Sequence, residues 1–361
     1  MPLTIGIDVG GTKIAGATVD AYGKIQHRAR RETPAQHVDA ISAAIAEIVE
    51  ELVHAAQADR RVVWAVGVAV AGLVDAGGST VLFAPNIAWR NTPLKQRLEE
   101  SLGRPIVLEN DANAAAWGEF TYGPARDYDD MVLLTLGTGV GGGIVNDGQL
   151  VRGAEGVAGE VGHFRLVPDG HRCGCGNKGC LEAYASGTAL VREARELVEG
   201  GSPHAGRLSE LCGGDPEQLT GEMVTQAALS GDRAATELLA EVGEWLGEGI
   251  ASLVAVLDPG VIVVGGGVAE AGDLVLGPAR AAFGRQLTGR GYRRQAEIVR
   301  AELGNDAGII GVATIAGHQT EAADRALAAA RAAAAADHGP AGSDGTNGTP
   351  VTTGTGSSER A

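Results

Sequence analysis

Two stretches decide the architecture, "IGIDVGGTKIAGATVDAYGK" (Ile5–Lys24) and "LLTLGTGVGGGIVNDGQL" (Leu133–Leu150). Each runs as an apolar strand, a Gly/Thr turn, a second strand and a polar turn. The shared plan predicts two related halves, each opening on a glycine-turned hairpin. Working outward, Leu3–Val9, Gly16–Val19, Val62–Val70, Ile106–Glu109, Met131–Leu136, Gly143–Val145 and Val261–Val264 read as strands, being short Val/Ile-rich runs bounded by Gly, Asp or Pro. Between them, Ile41, Ile45, Ile48, Val49 and Leu52, and again Leu238, Leu239, Val242, Trp245, Leu246 and Ile250, recur at helical spacing. Strands alternating with helices make the expected class α/β.

The chain has 361 residues, enough for two domains. Its net charge of −16, from 29 basic and 45 acidic residues with no basic patch, argues against nucleic acid as a partner. No apolar stretch has membrane-spanning length, and a strand-like run begins at Leu3, so neither a membrane nor a signal peptide is expected and the predicted location is cytoplasmic. Glycine, at 56 residues, is about twice its usual share of roughly 7%. The glycine runs suggest backbone turned tightly around a ligand. Ala322–Ala336 is an Ala-rich candidate helix; from Asp337 to Ala361 almost nothing is apolar, and disorder is expected.

The turn Asp8-Val9-Gly10-Gly11-Thr12-Lys13 follows its strand directly. Backbone N–H groups freed by the glycines can face a phosphate, Thr12 adds a hydroxyl and Lys13 a charge. Asp8 can hold Mg²⁺ directly or through water. Gly137 to Gly143, including Thr138 and Gly139, supplies a second such turn from the other half. Neither is a Walker loop, since no Gly-Lys-Ser/Thr opens a helix. Gly265-Gly266-Gly267 ends a strand, either as simple punctuation or as a bed for a nucleotide's adenosine.

Asn110 and Asp111 stand at the N-terminus of a helix expected from the Ala-rich run Asn110–Trp117. They read as ordinary caps, or Asp111 reads as the base that accepts a hydroxyl proton. Helix-terminal N–H groups are expected to keep its pKa low. In a loose phosphoryl-transfer transition state the proton leaves late, so a weak base suffices.

Further on, His163, Cys173, Cys175 and Cys180 form a Cys₃His set suited to a closed, structural Zn²⁺, with His171 an alternative by spacing. Glu160 and Glu182 flank the set, and a metal-bound histidine keeps a second ring nitrogen for other contacts. Such rigidly held groups can read the hydroxyls of a sugar. Cys212 stands apart.

Together these motifs resemble the ROK family of sugar kinases and repressors from about Leu3 to Gly317. "FAPNIAWRNTPL" (Phe83–Leu94) and "ENDANAAAWGE" (Glu109–Glu119) are especially similar to its bacterial ATP-dependent glucokinase branch. The resemblance implies an actin-like (ribonuclease H-like) two-domain ATPase fold, with ATP and sugar meeting in the interdomain cleft. It places an N-terminal lobe at 1–118, completed by a helix near 306–317, a larger lobe at 119–305, and a helix and tail at 318–361. It makes Asp111 the catalytic base, Gly72, Asn86, Asn110, Glu160, His163 and Glu182 sugar contacts, and His163, Cys173, Cys175 and Cys180 zinc ligands. The implied reaction is transfer from Mg-ATP to a hexose, glucose first, by a homodimer or homotetramer. The family's repressors carry a DNA-binding module ahead of this body, and a strand opening at Leu3 predicts none here. Val161 departs from the aromatic or Leu residue of several relatives.

Overall fold

The computed structural model describes residues 2–337. Two units separate by their internal contacts, Met1–Thr320 and Glu321–Ala361, and both five-stranded sheets lie in the first. The first sheet begins with β1 (Leu3–Val9), β2 (Lys13–Val19), β3 (Ile25–Glu32) and β4 (Val63–Val70). Three short strands, β5 (Leu73–Val74), β6 (Val81–Phe83) and β7 (Arg90–Thr92), make a small separate sheet, and β8 (Ile106–Asn110) returns to the first. The second large sheet holds β9 (Met131–Leu136), β10 (Val140–Asn146), β11 (Gln149–Leu150), β12 (Val261–Gly265) and β13 (Glu297–Arg300).

The orders are β3-β2-β1-β4-β8 and β11-β10-β9-β12-β13. In each, the opening hairpin is antiparallel and the next two strands join in parallel. The sequence echo is therefore a repeat of topology. Central strands are apolar on both faces because helices cover both. Along β9, Val132 and Leu134 enter one core while Met131 and Leu133 enter another, as the two-residue period requires.

The helices sort by the face they cover. On one side of the first sheet, α1 (Val38–Ala58) brings Ile41, Ile45, Ile48 and Leu52 onto β1 and β4, with α2 (Leu94–Leu102) beside it. Between the two sheets lies α3 (Asp111–Tyr122). Its Ala114 meets Ala69 of the first sheet and its Ala116 meets Leu133 and Val145 of the second. The helices α4 (Glu182–Ala185), α5 (Gly187–Glu199), α6 (Gly206–Leu211), α7 (Gly221–Leu229), α8 (Arg233–Leu257) and α9 (Asp273–Gln286) build up the second half, whose core includes Leu190, Val224, Leu246 and Phe283.

The last helix, α10 (Ala307–Asp337), begins on the first sheet, where Ile309, Ile310 and Ala313 pack on Ala17 and Val19. It absorbs both the expected helix near 306–317 and the Ala-rich segment in one run. The expectation of disorder beyond Asp337 lies outside the described residues.

Three readings need correction. Val140–Asn146 is a strand, so Gly141–Gly143 belong to it and only Gly137–Gly139 turn. Those strand glycines admit the small side chains of α3, with a Cβ on Gly143 falling 2.5 Å from that of Ala116. Likewise β2 starts at Lys13, earlier than Gly16. Two edge strands, β3 and β13, carry no apolar run because they are buried on one face at most.

Helix α3 crosses α10 through glycines. A Cβ on Gly311 would overlap the Ala114 carbonyl oxygen, and one on Gly118 would fall 2.6 Å from that of Ala307. Buried Glu119 at the end of α3 accepts the backbone N–H of Glu302 (3.0 Å) and Leu303 (2.8 Å), fixing where α10 begins. Gly311→Ala is therefore expected to cost about 1–3 kcal/mol, visible as a lower midpoint in thermal denaturation. An unchanged midpoint would refute this packing.

Candidate active site

The first turn is closed by the Gly10 N–H donating to the Lys13 carbonyl at 3.0 Å. Thr33 ties it down from β3's end, its hydroxyl donating to the Gly10 carbonyl at 2.8 Å. Asn86 lies against this turn, since a Cβ on Gly11 would sit 2.8 Å from that of Asn86. The loop bearing Asn86 is held from beneath by Arg90, which donates to the carbonyls of Ala84 (2.6 Å), Ile87 (2.9 Å) and Trp89 (2.6 Å). The same guanidinium stacks 4.2 Å above the Phe83 ring. Nothing in the sequence pattern singled out Arg90.

Asn110 caps α3, its side-chain oxygen accepting from the Asn113 N–H at 2.9 Å. Its amide nitrogen donates to the Gly72 carbonyl and to Asp111 Oδ1, each at 3.1 Å. Gly72 and Asn110 thus hold the Asp111 carboxylate in one orientation. The carboxyl is pushed up to about 7, first by burial, then by the charge of Asp8, with backbone N–H groups opposing and Glu160 adding to the rise. The expected depression by the helix terminus is overridden. Desolvation and two like charges outweigh the N–H groups. Asp8 itself is raised by burial, against the pull of Lys13. Carboxylates crowded in this way fit a hard divalent cation among them.

The second turn is closed by the Gly137 N–H donating to Gly139 (3.0 Å) and is braced by α5. There the Thr188 hydroxyl donates to the Thr138 carbonyl at 2.6 Å. Thr138 and Gly267 both line a cavity of about 1160 Å³, together with Thr188, Thr220, Thr225 and Gln226. Its volume suits a nucleotide. The residues contributed by α5 and α7 gave no motif to find. Gly265 and Gly266 lie behind the lining: Gly266, at φ +88°, backs onto Leu136.

His163, Cys173, Cys175 and Cys180 bring their donor atoms within 4.8 Å of one another. His163 Nδ1 is 3.5 Å from Cys173 Sγ, and Cys175 Sγ is 3.7 Å from Cys180 Sγ. His171 is elsewhere, its ring 5.2 Å from that of Tyr184. Burial pushes the thiols of Cys173 and Cys180 up. Cys175 goes down despite its own desolvation, because the Asn177 N–H and the neighbouring thiols donate to it. With Nδ1 turned to the sulfurs, His163 Nε2 faces Glu160 at 3.8 Å. Burial also raises Glu160, with His163 opposing. Glu182 accepts the Val140 N–H at 3.0 Å through Oε2, while its Oε1 lies 3.3 Å from Cys173 Sγ. Cys212, buried at the end of α6, donates to the Ser209 carbonyl.

Repeated mixed sheets, a helix-start carboxylate and two glycine turns define the actin-like two-domain ATPase fold equipped for phosphoryl transfer. The ROK family profile matches residues 4–319, and the chain belongs to that family. It is 46% identical over 316 residues to a glucokinase of Streptomyces coelicolor, covering 88% of this chain and 98% of that one. It is 35% identical to an N-acetylmannosamine kinase of Escherichia fergusonii, over 87% of this chain and 98% of that enzyme. Among solved structures, a ROK glucokinase from Streptomyces griseus in complex with glucose and AMPPNP superposes with a TM-score of 0.78 at 45% identity, covering 88% of this chain and 99% of that one. No helix among the described residues is long and apolar enough to cross a membrane.

A raised carboxyl has a cost in stability. The folded state holds the Asp111 proton between its usual 3.8 and about 7, where the unfolded chain has lost it, so stability falls as pH rises through that window. Asp111→Asn is expected to stabilise the protein at pH 8 by about 1–2 kcal/mol, a figure reduced for the solvent that reaches the carboxylate. The gain is expected to vanish near pH 4. Denaturation midpoints of both proteins across this range measure it, and a gain independent of pH would refute the assignment.

Proposed function

We propose that the chain transfers the γ-phosphate of ATP to the 6-hydroxyl of glucose, giving glucose 6-phosphate and ADP. The observation that carries the reading is the carboxyl of Asp111, oriented by Asn110 and raised to about 7 beside Asp8 and Glu160. A base poised near working pH can take a hydroxyl proton as the oxygen is phosphorylated. The glucose- and AMPPNP-bound S. griseus relative supports both substrates.

In this reading the nucleotide base and ribose occupy the cavity beside Thr138, Thr188 and Gly267, and its phosphates run toward the turn Gly10–Lys13. Thr12, Lys13 and the N–H groups of Gly11 and Gly139 face developing negative charge. Asp8 would hold Mg²⁺, which supplies further charge neutralisation when bound. Asn86, Asn110, Glu160, His163 Nε2, Glu182 and the Gly72 loop orient the sugar hydroxyls. The 6-oxygen forms its bond to the γ-phosphorus as the bond to the bridging oxygen of ADP breaks, and the proton passes to Asp111. The lobes 1–118 (with 306–317) and 119–305 close over the substrates and exclude water.

The Cys₃His set fits zinc. A Zn–S length near 2.3 Å gives tetrahedral edges of roughly 3.8 Å, and the S–S separation here is 3.7 Å. Zinc bound there fills no catalytic step. It neutralises the thiolates and fixes the loop from Glu160 to Glu182.

Asp111→Ala is expected to lower kcat by about 10²–10⁴-fold while glucose affinity by calorimetry stays within about tenfold. For the wild-type enzyme kcat/KM is expected to fall on the acid side of about 7, as the base is protonated. Near-wild-type turnover by the variant would remove Asp111 from this role. Metal analysis is expected to find about one zinc per chain, and stripping it is expected to raise the glucose KM more than the ATP KM. Equal phosphorylation of N-acetylmannosamine in a sugar panel would overturn the preference for glucose.

A further inference from the structure

One buried ion pair is used by none of the steps above. Glu109, on β8 immediately before the cap residue Asn110, is 4% exposed. Its Oε1 accepts from the Asn110 N–H (3.0 Å) and from the Asn113 side-chain amide (3.1 Å). Its Oε2 receives two guanidinium nitrogens of Arg152, Nε and Nη2, each at 2.7 Å. Every lone-pair direction that matters is occupied, and the cation comes from the loop that follows β11 of the other sheet.

Arg152 follows β11 closely and stands at the neck of a loop. Its carbonyl accepts the Ala158 N–H at 3.0 Å, closing the segment that leads through Gly159 into Glu160. Glu109 leads in the other direction into Asn110 and Asp111. One ion pair therefore joins the root of the segment bearing Glu160 to the root of the helix bearing Asp111. Asn113 shares the carboxylate, and the space beside its Oδ1 is taken by Gly159, whose Cβ position lies 3.6 Å away. A surface pair would add little, but one whose carboxylate is shielded from water keeps its geometry.

We infer that Glu109 and Arg152 are positioning residues that set the separation between the sugar-holding Glu160 and the base Asp111, and thereby determine how well a hexose is aligned for transfer. The inference rests on the reading of Asp111 and Glu160 given above. Each acts through the groups it holds: Glu109 through Asn110 and Asn113, Arg152 through the Ala158 N–H. The nucleotide cavity lies on α5 and α7, away from the pair, so the effect belongs to the sugar.

The test is Glu109→Gln, which keeps an oxygen for the Asn110 and Asn113 donors and leaves Arg152, itself 34% exposed, able to hydrate. Its kcat/KM for glucose is expected to fall about 10- to 100-fold, with the ATP KM within about twofold of wild type. Arg152→Lys, which retains the charge but loses the fork, is expected to show the same split and serves alone should Glu109→Gln fail to fold. Combining the two substitutions is expected to cost little more than either one. Folded variants with wild-type glucose kinetics, or with both KM values raised alike, would overturn the inference and reduce the pair to a stabilising contact. Asp111→Asn is assayed alongside. Wild-type turnover there removes the base reading and this inference with it, whereas an inactive Asp111→Asn beside an unimpaired Glu109→Gln removes the pair alone.

Discussion

Everything at the site depends on how closely two sheets approach the helix α3 between them. At the closest approaches the contacts are methyl groups and bare backbone: Ala114 faces one sheet, Ala116 the other, and Gly118 and Gly311 allow α10 to cross at near-backbone contact. The Ala run after Asp111 has good helix propensity, yet packing explains its composition better. A Leu at Ala114 or Ala116 would push a sheet away, and one at Gly118 or Gly311 would force α3 and α10 apart. Because the spacing is set by backbone, the N-terminus of α3 falls at the junction of both halves, within electrostatic reach of Asp8 and Glu160.

That placement puts like charges together. Asp8 comes from the end of β1, Asp111 from the start of α3 and Glu160 from the other half, and each carboxyl is raised by burial. Gathering these carboxyls away from water carries an electrostatic cost in the folded protein. Cores elsewhere are continuous and apolar, and they supply the stability from which this cost is met.

Much of this was legible because it is written in local patterns. The central strands are buried on both faces and read as Val/Ile runs, and the hairpin echo anticipated the repeated strand order. The Cys and His spacing gave a set whose atoms converge. What stayed hidden depends on tertiary partners. β3 looks like a charged segment until its edge position is known, Gly141–Gly143 look like a loop until Ala112 and Ala116 are seen pressing on them, and Arg90 becomes a brace only when three carbonyls surround it. The pKa of Asp111 illustrates the limit best. Its helix-terminal position is visible in sequence and argues for a low value, while burial, joined by Asp8 and Glu160, over a hundred and about fifty residues from it along the chain, reverses the sign.

One small contact has a wider consequence. Glu182 leaves the cysteine loop to accept the Val140 N–H, and its carboxylate fills the space in which Gly139 would carry a side chain. Gly139 in the turn and Glu182 beside the cysteine loop are therefore sterically coupled. A lineage that lost the metal loop, and with it this carboxylate, would be free to accept a larger residue at the turn. One that kept the loop would have to retain the glycine, so the two sites are expected to change together or not at all over evolutionary time.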